Sequence, residues 1–321
     1  MSVIERVREQ HPALKLRGLT RNPDSLASQL LKAKGVEMVA ADMSDEESLV
    51  AAFKGATAIF AMTDFWKPFF AHLSSGHPDP WVVSETEEVD KGKKIAQAAA
   101  TTLSTLTHFI FSSLPDPVRS SGGRIRTLAH INGKAKISQY IENLSPDPEG
   151  RKLADVTISL WCGYFMENYI EFDINKPRKR ADGAFVISNP ANPSIPIPHL
   201  AARNDVGLFV SALLNHPPQS LKGKPVVAAS TTLTYKEAAA NFSKVCGYKV
   251  KYEQMPAGQL TRSLPGIGAV FEDMFNYLND FGFWGNMETL NADDIQVKGN
   301  LTTFEDFVRQ HDWARFFADP E

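Results

Sequence analysis

Apolar and polar positions follow two alternating periods along the first half of the chain. Short apolar runs predict strands at 14–19, 36–40, 58–62, 109–111 and 156–160. Segments of helical period lie between them, at 3–10, 24–34, 45–54, 84–102 and 128–143. Strands that alternate with helices pair in parallel through right-handed crossovers, so the pattern predicts a doubly wound parallel α/β sheet of the Rossmann type.

The second half shows a different pattern. Residues 186–198 carry four prolines and predict loop and an edge strand, while 203–215 predict one further helix over the sheet. Later helices are predicted at 234–245, 268–280 and 303–318. We therefore expect a Rossmann-like domain over 1–162, rejoined by about 195–216, and a smaller mixed α/β substrate or partner lobe over 163–321.

Composition narrows the classes of function. A formal net charge of −3 supplies no long-range attraction to nucleic acid or to an anionic membrane. Cys162 and Cys246 fit neither a disulfide framework nor a metal clip, and no signal peptide or transmembrane run is visible. We expect a cytoplasmic protein, with the nucleus as the alternative. The basic cluster at 176–180 predicts a solvated loop, with a nuclear address or an anion patch as alternatives.

The start of the sequence departs from the usual dinucleotide-binding pattern. Such folds open with a strand, a glycine-rich turn and a helix whose N-terminus holds the pyrophosphate. Here the sequence starts inside that helix, no glycine precedes Gly18, and Gly266-Ile267-Gly268 follows no predicted strand. The missing strand would be central, so its neighbours must satisfy their backbone groups otherwise. We expect either an N-terminally shortened version of the fold or one that has closed the gap and lost or altered nucleotide binding.

Candidate ligand-binding residues follow the predicted strands. Arg21, within Thr20-Arg21-Asn22-Pro23, is placed to pair with a ribose 2′-phosphate, which favours NADP over NAD. Asp42 and Met43 follow the next strand, where a side chain flanks adenine. Thr63-Asp64-Phe65-Trp66 follows the third, beside the expected path of the pyrophosphate and nicotinamide. Core packing is the alternative for its two aromatic residues.

Candidate catalytic residues lie on the helix predicted at 128–143. Short-chain dehydrogenases use Tyr-x-x-x-Lys there, but none of the seven tyrosines has a lysine four positions later. His130 and Lys134 share one helix face instead, with histidine where the tyrosine would be. Ser112, at the end of the preceding strand, is placed to orient a substrate, and turn capping is its alternative. No motif supports a metal site or a hydrolase.

Six segments form a set that is specific only when taken together. They are Thr20-Arg21-Asn22-Pro23, Thr63-Asp64-Phe65-Trp66, Glu87-Glu88-Val89-Asp90-Lys91-Gly92-Lys93, Phe109-Ile110-Phe111-Ser112-Ser113, His130 to Lys134, and Gly163-Tyr164-Phe165-Met166-Glu167-Asn168. This set resembles the NmrA-like family of atypical short-chain dehydrogenases, close to isoflavone-reductase-like proteins. The resemblance extends from residue 3 to residue 307, nearly the whole sequence.

The resemblance implies a Rossmann domain that binds NADP(H) and a small variable lobe. It places Arg21, Asn22 and neighbours at the adenosine 2′-phosphate, Asp42 and Met43 at the adenine, and 63–65 at the middle of the cofactor. It assigns the nicotinamide ribose to Lys134. The residues that it brings over the nicotinamide end are Tyr164, Phe165 and Asn168. The absent glycine motif predicts weakened cofactor affinity, because that motif supplies most backbone contacts to the pyrophosphate.

Two functions follow from these expectations. The first is an NADP(H)-dependent oxidoreductase acting on a small, aromatic or polyketide-like metabolite, in which Lys134 positions the cofactor and His130 or a water donates the proton. The second is a non-catalytic redox sensor that reads NADP(H) and binds a partner protein. The aromatic residues of the second lobe favour the first as a substrate pocket, with an ordinary core as their alternative. The missing catalytic tyrosine and phosphate loop favour the second.

Overall fold

The computed structural model describes residues 2–172 and 176–313. Its strands are β1 Arg17–Thr20, β2 Glu37–Ala40, β3 Ala58–Ala61, β4 His108–Ser113, β5 Thr157–Cys162, β6 Tyr164–Phe165, β7 Arg178–Lys179, β8 Phe185–Asn189, β9 Ile197–Leu200, β10 Val226–Ala228, β11 Thr231–Leu233 and β12 Val250–Gln254. Its α-helices are α1 Ser2–Gln10, α2 Leu26–Ala33, α3 Glu46–Phe53, α4 Trp66–Ser74, α5 Pro80–Ala100, α6 Pro117–Ser120, α7 Ala129–Asn143, α8 Asn168–Glu171, α9 Ala202–Leu213, α10 Tyr235–Cys246, α11 Gln259–Ser263, α12 Gly268–Phe281 and α13 Phe304–Arg309.

The main sheet is parallel and is covered on both faces. Its four strands run in the order β10-β5-β4-β3. Phe109 and Phe111 of β4 pack in one cluster with α5 and α7, whereas Ile110 packs in another with α1 and α9. Successive strand residues point to opposite faces, so an unbroken apolar run is what a doubly covered strand requires. The predicted Rossmann-type α/β fold is confirmed.

Strands β1 and β2 form a separate parallel pair. Within residues 2–172 and 176–313, no strand joins β1 to β3. The pair is attached through Arg17, which pairs with Glu37 and donates 2.7 Å to the backbone oxygen of Ala52 at the end of α3. Leu49 and Phe53 of α3 in turn pack into the cluster beneath α5. Helix α3 therefore connects the pair to the helices that cover the main sheet.

The second lobe is built from two small mixed sheets, ordered β11-β9-β6 and β12-β8-β7. Residues 186–198 were expected to be loop and edge strand, but β8 and β9 are the middle strands of these sheets, so that prediction is wrong. The sheets are short: β6 pairs only with His199 and Leu200, so the missing N–H of Pro198 interrupts no ladder on that side. The basic cluster at 176–180, predicted as a loop, contains the exposed strand β7.

Parts of the later chain pack with the first. The buried residues Phe209 and Leu213 of α9 lie in the cluster beneath β4 and β5, and β10 pairs with β5. Ile295 joins the same cluster. The division at residue 162 remains a prediction, and this packing supports a first unit that also includes 202–228 and the segment around 290–297.

Candidate active site

The carboxyl ends of the parallel strands carry the polar residues that the sequence pointed to. Arg21 follows β1, Asp42 lies two residues past β2, Thr63 lies two residues past β3, and Ser112 lies at the end of β4. Open α/β sheets bind ligands at this edge because loops diverge there and leave a crevice.

Lys134 reaches this edge from α7. Its Nζ donates to the Thr63 carbonyl at 3.1 Å, to Thr63 Oγ1 at 3.0 Å and to Glu88 Oε1 at 2.7 Å. Thr63 Oγ1 donates to the same Glu88 oxygen at 2.7 Å. The three side chains therefore form a closed polar group just beyond β3.

Glu88 was not singled out as a site residue from the sequence. It lies on α5 and is 1 % exposed, although the neighbouring Glu87 lies at the surface and pairs with His72 and Lys91. Gly133 allows this arrangement, because a Cβ at that position would lie 2.6 Å from Glu88 Oε2. One sequence feature could have indicated Glu88: it shares a face of α5 with Gly92, and on α7 Gly133 directly precedes Lys134. Small residues on both helices are typical of a close helix contact.

Six side chains form an aromatic group that we call the boundary cluster: Phe65, Trp66, Phe69, Trp81, His130 and Phe271. The ring of Trp66 lies 5.1 Å from that of His130 and stacks 6.1 Å from that of Phe271, on α12. Residues of both lobes therefore meet in this cluster, next to Lys134.

His130 is uncharged at neutral pH. Burial, and to a smaller extent the positive charge of Lys134, lowers the pKa of His130 to about 3. Its Nδ1 is buried and makes no hydrogen bond to any described residue. Phe65 is likewise buried in the boundary cluster, so the core-packing alternative describes where its ring lies.

Ser112 and Ser113 have different neighbours. Ser113 bonds Ser138 Oγ at 2.7 Å and is buried against α7, so its hydroxyl is committed to packing. Ser112 Oγ lies 3.7 Å from Cys162 Sγ and is less buried. Burial raises the pKa of the Cys162 thiol, which therefore stays protonated at neutral pH. Ser112 thus lies on the sheet face opposite α7, with Cys162 as its neighbour.

The adenine-side candidates lie at the ends of β1 and β2. Thr20 Oγ1 accepts from the Asn22 backbone N–H at 3.2 Å, which shapes the turn around Arg21. Arg21 is exposed, and no carboxylate of the described chain forms an ion pair with it. The backbone N–H of Ser44 holds the pKa of Asp42 below its usual value, and Arg21 adds to this effect. Met43 is exposed beside them.

The residues predicted over the nicotinamide end separate in the structure. Gly163, between β5 and β6, allows a close approach to β9, since a Cβ there would lie 2.5 Å from the Pro198 carbonyl oxygen. Tyr164 then turns its ring into the second lobe, 5.6 Å from the His199 ring, while Phe165 is exposed and Asn168 begins α8. Asp64 is exposed and accepts from the Lys67 backbone N–H, at the start of α4.

Two features are absent from residues 2–172 and 176–313. No group of three or more His, Cys, Asp or Glu side chains has the arrangement of a metal site. No described helix is both long and apolar enough to cross a bilayer.

The fold and the site thus define a class of protein: a Rossmann-type α/β protein with a lysine–carboxylate pair and an aromatic cluster near its strand ends. The model of the NmrA-like family matches residues 2–308. The chain therefore belongs to the NmrA-like family, and the resemblance seen in the sequence is confirmed.

Individual relatives agree with this assignment. The NmrA-like family domain-containing oxidoreductase FrzB of Cladobotryum sp is 28% identical over 254 residues, 76% of this chain and 69% of that protein. NmrA, a negative transcriptional regulator crystallised with NADP, gives a TM-score of 0.68 at 21% identity, covering 96% of this chain and 90% of that chain. The Citrobacter sp. triphenylmethane reductase with NADP(H) gives 0.64 at 16% identity, covering 96% and 94%. The two structural likenesses show the fold.

Proposed function

We propose that this chain is an NADP(H)-dependent oxidoreductase acting on a small, aromatic or polyketide-like metabolite. The observation that carries this proposal is the position of the Lys134 ammonium at the strand ends, one helical turn along α7 from His130 of the boundary cluster. A cation for a ribose and flat apolar surfaces for a ring system are the two features that such a reaction needs in one place. The names of relatives such as FrzB, an oxidoreductase, support the same class of activity.

The residues present fit a nicotinamide dinucleotide at its two ends. The exposed Arg21 guanidinium suits a 2′-phosphate, since arginine offers paired donors to phosphate oxygens. Lys134 suits the hydroxyls of the nicotinamide ribose. Between these ends the described chain offers no glycine-rich turn, and Met62 is exposed past β3. Bound there, the cofactor would supply a hydride.

The roles of the chain's own residues follow from their surroundings. Lys134 orients the ribose. Ser112, at the end of β4 on the sheet face opposite α7, stays the predicted donor of a hydrogen bond to a substrate oxygen. His130 is neutral and holds no imidazolium proton to give at pH 7, so we assign proton donation to a water. His130 then serves as a wall of the substrate site, with its buried, unpartnered Nδ1 available to a ligand.

Binding and turnover test the proposal together. We expect NADPH to quench tryptophan fluorescence, and Arg21→Ala to weaken NADPH binding by about tenfold or more while leaving NADH binding nearly unchanged. Lys134→Met should abolish NADPH oxidation with aromatic ketones, enones and quinones. Lys136→Met is the matched control, because Lys136 lies on the same helix and its side chain is exposed. Absence of NADPH binding at millimolar concentration would refute the proposal.

The non-catalytic regulator is the competing function. It predicts NADPH binding without turnover of any member of the substrate panel, together with an intact response to Arg21→Ala. Turnover that depends on Lys134 distinguishes the enzyme from the regulator, and the interaction with a partner protein stays a prediction.

A further inference from the structure

A buried carboxylate on α5 contacts the lysine that the proposed function depends on. The Glu88 side chain is 0% exposed and the Lys134 side chain 16%. A lysine ammonium has three N–H donors, and the Thr63 carbonyl, Thr63 Oγ1 and Glu88 Oε1 accept from them, so a ribose hydroxyl would replace one of the two Thr63 acceptors while the bond to Glu88 stays. The position of the ammonium is therefore fixed before any ligand arrives.

A contribution to folding stability does not by itself explain this buried ion pair. Glu88 Oε2 is buried and has no hydrogen-bond partner among the described residues. Burying a carboxylate is costly, and an ion pair regains that cost only when the remaining lone pairs are also satisfied. An apolar side chain facing Gly133 would join the two helices with less loss, so the carboxylate has to be explained by what it does to Lys134.

Electrostatics supplies that explanation. Glu88 is the only carboxylate of the described chain that forms an ion pair with Lys134. A lysine–glutamate ion pair carries no net charge, so this pair leaves no unbalanced cation near the boundary cluster. Because Oε1 also accepts from Thr63, the carboxylate cannot rotate away without breaking two hydrogen bonds.

We propose that Glu88 is the positioning residue for Lys134: its carboxylate, held by Thr63, fixes the ammonium where the ribose of the cofactor would meet it. The catalytic part of this inference rests on the proposed function, whereas the fixation of Lys134 does not.

The experiment compares two glutamates on the same pair of helices. Glu88→Gln keeps size and one acceptor but removes the charge. Glu85→Gln is the matched control, because Glu85 on α5 pairs with Lys136 on α7, between the same two helices, and Lys136 is exposed. Glu88→Asp keeps the charge and tests rescue. All variants are made in the full chain, and their melting temperatures are recorded.

The first readout is independent of any activity. Lysines are acetylated with limiting acetic anhydride, and the ratio of Lys134 to Lys136 modification is measured by peptide mass spectrometry. In the unaltered protein this ratio should be low. Glu88→Gln should raise it severalfold, Glu88→Asp should restore it in part, and Glu85→Gln should leave Lys134 protected. An unchanged Lys134 in Glu88→Gln overturns the proposal.

The second readout separates positioning from mere packing. Glu88→Gln should lower kcat for NADPH oxidation by about tenfold with a smaller change in KM, since a misplaced ammonium affects orientation more than encounter. Greater Lys134 labelling with unaltered kcat would overturn the positioning role. If the unaltered protein fails to bind NADPH, the proposed function falls, and the labelling ratio still decides whether Glu88 fixes Lys134.

Discussion

Two buried histidines lie in two aromatic surroundings, and their hydrogen bonds differ. His199 lies in the core of the second lobe, where its ring is 5.3 Å from Phe304 and 5.9 Å from Tyr169. Its Nδ1 donates to the Ile197 carbonyl at 2.8 Å, so its Nε2 is the acceptor for the Tyr169 hydroxyl at 3.2 Å. His130 lies among rings of the boundary cluster, but its Nδ1 has no partner in the described chain.

The difference separates a structural region from a candidate ligand site. Buried polar groups are normally paired, and a paired histidine is explained by the fold that surrounds it. An unpaired buried nitrogen lowers stability and calls for another explanation, such as a ligand that completes it. The second-lobe core is therefore expected to control folding, and the boundary cluster is expected to control binding.

The largest contrast should come from deleting one phenylalanine ring in each region. Phe242 is fully buried and contacts Trp313 and Phe304, so Phe242→Ala should cost about 3–5 kcal/mol of the free energy of unfolding. Phe271 is only partly buried, and Phe271→Ala should cost about 1–2 kcal/mol while impairing turnover. Urea denaturation followed by far-UV circular dichroism measures both losses. Equal losses would remove the distinction between the regions.

A smaller contrast is expected when each histidine becomes phenylalanine. His199→Phe leaves the Tyr169 hydroxyl and the Ile197 carbonyl buried without this partner, which should cost about 1–3 kcal/mol at pH 7. His130→Phe removes a nitrogen that has no described partner and adds a ring among rings, so the loss should stay below about 1 kcal/mol. A large loss in His130→Phe would show that the boundary cluster is also a structural core.

The sequence predicted the first unit well because its helices and strands have clear, separate periods. The helix predicted at 128–143 is observed as α7, and the strand at 58–62 as β3. Each element packs its apolar face against neighbours in the same sheet, so local pattern and global fold agree. Helical spacing likewise predicted that His130 and Lys134 share one face of that helix, and their role in the site stays a prediction.

Other features depended on contacts that no local pattern encodes. Helix α4 was not predicted, because its run of aromatic residues with Pro68 lacks a clear helical period. Proline is nevertheless tolerated in the first turn, and the rings pack into the boundary cluster. Glu88 is buried because α5 approaches Gly133, which is distant in the sequence. The charged residues next to Glu88 are typical of a solvent-exposed helix face, so no local pattern indicated this burial. The predicted helix at 303–318 is observed as α13 Phe304–Arg309, and 314–318 lies outside the described residues.

The smallest effect is a change in how stability depends on pH. Burial lowers the pKa of His199 to about 4 and that of His130 to about 3, whereas an unfolded histidine titrates near the ordinary value of 6.5. Between about pH 6.5 and 4 these histidines therefore bind protons in the unfolded chain but not in the folded chain, so the free energy of unfolding falls as the pH falls. Each histidine contributes up to about 1.4 kcal/mol per pH unit in that window.

Replacing one histidine should make this dependence shallower. His130→Phe is the cleaner variant, because its stability at pH 7 is expected to be near that of the unaltered protein. At pH 5 it should exceed the unaltered protein by about 1–2 kcal/mol, since one proton-binding site of the unfolded state has been removed. Urea denaturation at pH 7, 6 and 5 measures the two slopes. Parallel slopes would mean that His130 takes up its proton over the same pH range in the folded and unfolded states, and its imidazolium could then compete with the water that we assign to proton donation.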